Sequence, residues 1–247
     1  MPELSISARL QRLSTTTASD VLSGLGLARV AMLGIGPIVP AAGTLAGPAR
    51  TLRFLPRRED VGKGRGAVNR QLIDVLESGE VLVVDAHGCT NGAVLGDMLA
   101  ARARARGCAG VVADGVVRDT TGLAEMGTPI FARGVFPARS APELLAWDAD
   151  VAIQCGGVFV QPGDWILGDA DGVIVIPDAL VAQVLERGEA ALASDEFSQR
   201  LLAAGFMLDE AYPLPPALKP DLARYWQDGT VPSIAEFRAR TAGDTAR

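Results

Sequence analysis

Gly92 to Asp119 read GAVLGDMLAARARARGCAGVVADGVVRD, and the fold class turns on how this stretch is parsed. From Leu95-Gly96-Asp97 onward the Ala/Arg-rich segment has the composition of a helix. Gly107 stops it, glycine being the common residue just past a helix C-terminus. Gly110-Val111-Val112-Ala113 is a short apolar run rich in β-branched side chains, read as a buried strand closed by Asp114-Gly115. Arg118 and Asp119 follow directly. A helix laid against a buried strand makes the chain α/β, and it sets two acidic side chains and a guanidinium near the ends of adjacent elements. The helix N-terminus offers unpaired N–H groups and the positive end of its dipole to an anion. Gly96, having no Cβ, lets that anion approach the backbone. Arg118 can grip a carboxylate with two parallel hydrogen bonds, and Asp119 can hold a hard divalent cation. Such a set suits a small acid with a chelating oxygen. The same residues also read as a surface ion pair and a plain helix cap, and locally both readings stand.

The composition around this stretch narrows the function classes. The 247 residues are 49% hydrophobic but only 5% aromatic, which predicts a core of Ala, Val and Leu and leaves ample length to bury one. A formal net charge of −6 argues against a nucleic-acid or anionic-membrane surface. Cys89, Cys108 and Cys155 are widely spaced, giving neither a zinc motif nor an even disulfide framework, so a reducing cytoplasm is expected. No apolar run has the length of a membrane span, and the first residues lack a signal-peptide core.

Along the chain, Ser14-Thr15-Thr16-Thr17 predict a capped helix that Gly24 and Gly26 end. Met32 to Pro48 reads as loop and short strand, and Arg50 to Phe54 as a strand. Gly62, Gly64 and Gly66 mimic a phosphate loop without its flanking strand and helix, so a surface loop is expected there. Ala67 to Leu76 is a helix and Val81 to Val84 a strand ending at Asp85. His87, the single histidine, rules out a multi-histidine metal site and reads as structural or at a site's rim. Next come a short helix at Thr120 to Met126, a strand at Pro129 to Ala132, and a loop at Gly134 to Ser140 with Arg133 and Arg139. Val151 to Val160 reads as a strand around Gly156-Gly157. Trp165 to Asp169 and Val173 to Ile176 form a hairpin through Asp171-Gly172, its acidic residues serving as turn formers. Pro177 to Leu202 is one helix or two, with Glu186, Glu189, Asp195 and Glu196 on a solvated face. The tail beyond Tyr212 is proline-rich and then amphipathic.

Asp97, twenty intervening residues, and then Arg118-Asp119 make a specific signature, flanked by VVDAHG before it and CGGVFVQPGDWILGDADGVIVIP after it. With these words the chain resembles the RraA-like family from about Leu13 to Leu202. That family includes class II pyruvate aldolases acting on 4-hydroxy-4-methyl-2-oxoglutarate and 4-carboxy-4-hydroxy-2-oxoadipate. The resemblance implies a swivelling β/β/α sandwich over residues 1–205; residues 206–247 fall outside the family core and read as a C-terminal arm packing on a neighbouring subunit. It implies a homotrimer or homohexamer with the site at a subunit boundary. It assigns Arg118 and Asp97 catalytic roles, Gly96, Asp97, Met98 and Leu99 with Arg118 the substrate, Asp119 a Mg²⁺ or Mn²⁺ ion, and Glu196 a contribution to a neighbouring subunit's site. The expected substrate is a small 2-keto acid, with no nucleic acid or membrane as partner. Some relatives carry a lysine in the loop where this chain has arginine, a difference expected to tune substrate choice. Others inhibit a ribonuclease by binding it, and a broad keto-acid decarboxylase would share the same site.

Lysine usage bears on mechanism independently. A Schiff-base aldolase needs a partly desolvated lysine among its strands. The only lysines, Lys63 and Lys219, lie in a glycine loop and a proline-rich tail. If this chain breaks carbon–carbon bonds beside a keto group, a metal must take over the stabilisation of the enolate.

Overall fold

The computed structural model describes residues 4–39, 43–61 and 67–242. Lys63 and the three glycines of the phosphate-loop mimic lie outside the described residues. Two compact units divide the chain between Leu185 and Glu186.

The first unit opens with α1 (Ile6–Leu10) and α2 (Thr15–Gly24), the latter capped by the Ser14 hydroxyl accepting from the Thr17 amide at 3.0 Å. After β1 (Gly36–Pro37), four strands alternate with three helices: β2 (Leu45–Pro56), α3 (Val68–Asp74), β3 (Val81–Cys89), α4 (Asp97–Ala105), β4 (Gly110–Val117), α5 (Thr120–Met126) and β5 (Ile130–Val135). Strands β2 to β5 pair in parallel, as helical crossovers require. Their period of two sorts the core into layers. Leu82, Val84, Val111 and Ala113 pack with Leu72, Ile73, Ala100, Ala103 and Leu123 of the helices. Val81, Val83, Val112 and Phe131 pack instead with the later strands. Toward the sheet α4 buries Ala100 and Ala103, with half-buried Leu99 packed beside them.

Those later strands are β6 (Leu144–Ala149), β7 (Ile153–Cys155), β8 (Val158–Val160), β9 (Trp165–Asp169) and β10 (Gly172–Ile176). The main sheet runs β1-β5-β4-β3-β2-β9-β10, with β6 on a second edge of β2, and curls into a nearly closed barrel-like layer. Ala31 bridges to Ile174 near its open side. The β9–β10 hairpin and helices α2 to α5 lie where the sequence placed them.

Four readings need correction. Asp114-Gly115 does not close a strand: β4 continues through both residues to Val117, buried throughout. Val151 to Val160 is not one strand but the β7–β8 hairpin, whose Gly156-Gly157 turn has φ of 56° and 79°, the mirror-image geometry that glycine permits. Arg133 belongs to β5, not to the loop after it. Leu144–Ala149, unassigned from sequence, adds β6 antiparallel to β2.

The second unit contains most of α6 (Val181–Ala203), a single helix, followed by α7 (Leu208–Ala211), α8 (Lys219–Asp228) and α9 (Ile234–Ala242). Phe197, Leu201, Phe206, Ala211, Leu218 and Phe237 form its own core. Among the described residues no helix is long and apolar enough to cross a membrane.

Candidate active site

The C-terminal end of β4 and the N-terminus of α4 meet because residues 93–95 run alongside the last residues of the strand. The Val94 amide donates to the Val116 carbonyl at 2.9 Å and the Arg118 amide to the Leu95 carbonyl at 3.0 Å. This pairing sets Gly96 and Asp97 beside Arg118 and Asp119. The fit is tight: a Cβ built on Gly96 would lie 2.5 Å from Asp119 Oδ2 and 3.2 Å from Arg118 Nε. Gly96 has φ −137° and ψ −177°, open to any residue, so its lack of a side chain serves the approach and not the backbone.

Asp119 adopts the left-handed conformation, φ 59° and ψ 41°, uncommon outside glycine though Asp tolerates it. It precedes α5 yet makes no side-chain cap to it. Its Oδ2 instead lies 3.4 Å from both the Asp97 amide and Arg118 Nε. The Arg118 and Asp119 side chains are 41% and 39% exposed, so both remain open to a ligand. Asp97 Oδ1 accepts from the Met98 amide at 2.7 Å. An incoming anion therefore competes with the chain's own carboxylate for the helix N-terminus. The Met98 side chain is exposed and only its backbone takes part, while Leu99 is half-buried on the same turn.

Gly96, Asp97, Met98, Leu99 and Arg118 line one open depression of about 440 Å³. Asp119 faces a smaller hollow on the other side of Arg118, with Val135, Phe136 and Pro137. Sequence reasoning missed Asn69 and Arg70 of α3, which also line the larger depression; of the two loop arginines expected to tune substrate choice, Arg139 lines it and Arg133 does not. No local signal marks Arg70, which reaches the site only through the packing of α3. Glu196 belongs to the second unit, where its Oε1 accepts from the Tyr225 hydroxyl at 3.2 Å.

Behind this surface lies a buried charged network. Asp114, fully buried, accepts from Arg133 Nε, from Gln154 Nε2 at 2.8 Å and from the Gly156 amide at 3.0 Å. These bonds replace the water a buried carboxylate loses, and they tie β4 to β5 and to the β7–β8 turn. His87, also left-handed at φ 52°, donates its amide to buried Asp85 Oδ1 at 3.0 Å, in a bulge of β3 opposite β4. Burial, with Asp114 and Asp85 nearby, pushes the Cys155 thiol well above its usual range, so it stays protonated and is no nucleophile at neutral pH.

The donor set limits which cation could bind. Among the described residues no three His, Cys, Asp or Glu side chains gather as a metal cage, which does not suit a structural zinc site. One half-exposed carboxylate with Asp97 close by suits Mg²⁺, which keeps several waters and takes few protein ligands.

Comparison with known proteins gives a consistent picture. The family model described as RraA-like, Aldolase/RraA, matches residues 15–175. A protein of Halalkalibacterium halodurans named "Putative 4-hydroxy-4-methyl-2-oxoglutarate aldolase" is 32% identical over 210 residues, 85% of this chain and 94% of the relative. The crystal structure of an uncharacterized protein from Pseudomonas syringae pv. tomato aligns with TM-score 0.74 at 28% identity, covering 85% of this chain and 98% of that one. Streptomyces coelicolor RraAS2, described as an unusual member of the RNase ES inhibitor RraA protein family, aligns with TM-score 0.73 at 34% identity, covering 80% and 97%.

Proposed function

The chain belongs to the RraA-like family, Aldolase/RraA, and from that premise we propose that it is a divalent-metal-dependent lyase cleaving a 4-hydroxy-2-keto acid, or oxaloacetate, to pyruvate. The observation that carries this reading is the convergence of Arg118, Asp119 and Asp97 on Gly96, packed so closely that a methyl group there would strike Asp119. Asp119 would hold Mg²⁺ or Mn²⁺ with its waters, and when bound that ion supplies Lewis-acid stabilisation to a charged oxygen.

The remaining steps fall to the chain's own residues. The amides at the start of α4 take the substrate's 1-carboxylate, which displaces the Asp97 carboxylate from the Met98 amide. Arg118 donates to the 2-keto oxygen. As the 4-hydroxyl passes its proton to water and the fourth carbon leaves as a carbonyl (or, from oxaloacetate, as carbon dioxide), the bond to the third carbon breaks, its electron pair flows toward the keto oxygen, and Arg118 stabilises the enolate charge. One such donor is worth about 3 kcal/mol. Asp97, freed from Met98, holds a water that delivers a proton to the third carbon and completes pyruvate. Glu196 would serve the site of a neighbouring copy in a trimer or hexamer.

Pyruvate release from 4-hydroxy-4-methyl-2-oxoglutarate and from oxaloacetate, measured with Mg²⁺ and then with EDTA, tests the proposal. Metal-dependent release that disappears in Asp119→Ala is the expected outcome, and unchanged turnover in that variant removes Asp119 from its role.

The likeness to Streptomyces coelicolor RraAS2 favours a second reading, a regulator that inhibits a ribonuclease by binding it. A folded protein that releases pyruvate from neither substrate, yet slows RNA cleavage by the ribonuclease, would put this reading first.

A further inference from the structure

Where β2 and β6 pair at their far end, two apolar side chains turn away from the helices. Phe54 and Leu144 are buried in the helix-side layer of the core. Leu55 and Leu145, opposite one another in the ladder, therefore point to the other face, and both are only half-buried. The ladder then slips: Ala146 pairs with Phe54 and Asp148 with Arg53, which leaves Trp147 with no residue opposite it. A bulge of this kind re-aims a side chain, and Trp147 joins Leu55 and Leu145 in lining a hollow of about 370 Å³.

Pro56, Arg58 and Val61 complete the lining, and none of these six residues lines the depression at α4. The volume falls in the range of small-molecule sites, roughly 300–1,000 Å³. Six residues are far fewer than the roughly 20–30 a side of a stable protein interface, so the occupant that fits is a small molecule. Five of the six are apolar, and the indole of Trp147 offers an aromatic ring a stacked or an edge-on contact. Among the described residues Arg58 is the only charged one in the lining. Its Nε donates to Asp60 Oδ1 at 2.6 Å, and with both side chains 69% exposed the pair adds little stability. With Nε so engaged, the two terminal nitrogens of the guanidinium are the donors left for an anion.

We propose that this hollow is a second ligand site, separate from the candidate active site, and that it takes a small aromatic carboxylate. The ring lies against Trp147 between Leu55 and Leu145, and the carboxylate meets the terminal nitrogens of Arg58. A neutral aromatic molecule gains only the ring contact, and a small aliphatic acid only the charged one, so the site prefers a ligand that brings both. The inference stands apart from the lyase reading, since the two sites share no lining residue.

Titration calorimetry on the full chain with phenylacetate and phenylacetamide tests this. The two probes share a ring and differ by a carboxylate against a neutral amide. Phenylacetate should bind about tenfold more tightly than phenylacetamide, the gain from one hydrogen bond to a charged group. Arg58→Gln should bring the two probes to within about twofold, and Trp147→Leu should weaken both by about threefold to tenfold. Arg58 is exposed, so its variant keeps the fold and decides the matter by itself if Trp147→Leu melts early. No saturable binding, equal affinities in the wild type, or a ratio that survives in Arg58→Gln overturns the site. Phenylacetate binding that is lost in Arg118→Gln places the ligand in the depression at α4 and overturns it as well. A wild type that binds neither probe, but whose subunit number changes in Trp147→Leu, gives the hollow to a second copy of the chain and ends the proposal.

Discussion

Replacing Gly96 with alanine perturbs the site through a single methyl group. Its Cβ would stand 2.5 Å from Asp119 Oδ2, and ordinary contact begins at 3.4 Å, so the carboxylate must retreat by about 0.9 Å. Arg118, 3.2 Å away at Nε and 3.3 Å at Cγ, has to yield by a smaller amount. The backbone tolerates alanine at φ −137°, and the atom in the way is the end of a half-exposed side chain. Folding therefore loses little beyond the weaker N-cap, about 0.5–1 kcal/mol, or roughly 1–4 °C in Tm for a chain of this size. Catalysis should lose far more, because a displacement of about 1 Å among reacting groups costs on the order of a hundredfold. That corresponds to about 2.7 kcal/mol of transition-state stabilisation. Coupling pyruvate release to lactate dehydrogenase gives kcat/KM, and a thermal melt of the same sample gives Tm. A Gly96→Ala protein with wild-type kcat/KM would refute the argument, since the close approach would then have no catalytic purpose.

Three further outcomes follow from the same structure. Arg118→Lys keeps the charge but loses the planar fork, and kcat should fall about 10²–10³-fold; retention within threefold of wild type would show that charge alone suffices. Asp114→Ala leaves the Arg133 cation, the Gln154 amide and the Gly156 N–H without their shared acceptor. A Tm loss of roughly 6–12 °C is expected, from about 3 kcal/mol for a broken buried pair, and a loss under 2 °C would contradict it. Burial raises the Asp164 carboxyl above its ordinary value of 3.8. A raised folded-state value means its contribution is intact below about pH 3.8 and is lost as pH rises through the folded value. The Tm of Asp164→Asn minus that of wild type should then grow between about pH 4 and neutrality, and a flat or falling difference would reject the assignment.

What the sequence made legible was set by how local each cause is. The α4–β4 pair could be read because its periodicity, composition and terminating glycine are contained in one short stretch. The β9–β10 hairpin could be read because its turn residues sit between two apolar runs. Asp114-Gly115 misled because Asp-Gly is a strong turn signal, whereas the partners that let Asp114 stay inside a strand lie 19 and 40 positions further on. Leu144–Ala149 has no clean alternation to announce it, being half-buried along most of its length against β2. At the candidate site, Asp97, Arg118 and Asp119 were singled out by the resemblance to the RraA-like family, since their local sequence reads equally as an ion pair and a cap. Arg70 and Asn69 reach it only through the packing of α3, and the left-handed turn at Asp119 has no signature of its own.

Strand β2 has a further consequence, for how the chain is made. Its first residues, Leu45–Pro48, pair with β9, whereas Ala49–Arg53 pair with β3. The β9 partner of Leu45 is Gly168, about 120 residues later. During synthesis at about 5–20 residues per second, β3 reaches β2 early, while the stretch at Leu45–Pro48 waits roughly 6–25 seconds for its partner. For that interval the nascent chain exposes an unpaired strand edge next to apolar surface, the condition that invites pairing with another chain. Pro48, with no N–H to offer, sits within that waiting edge. A residue that contributes little to the finished sheet can thus be of most use before the sheet is complete.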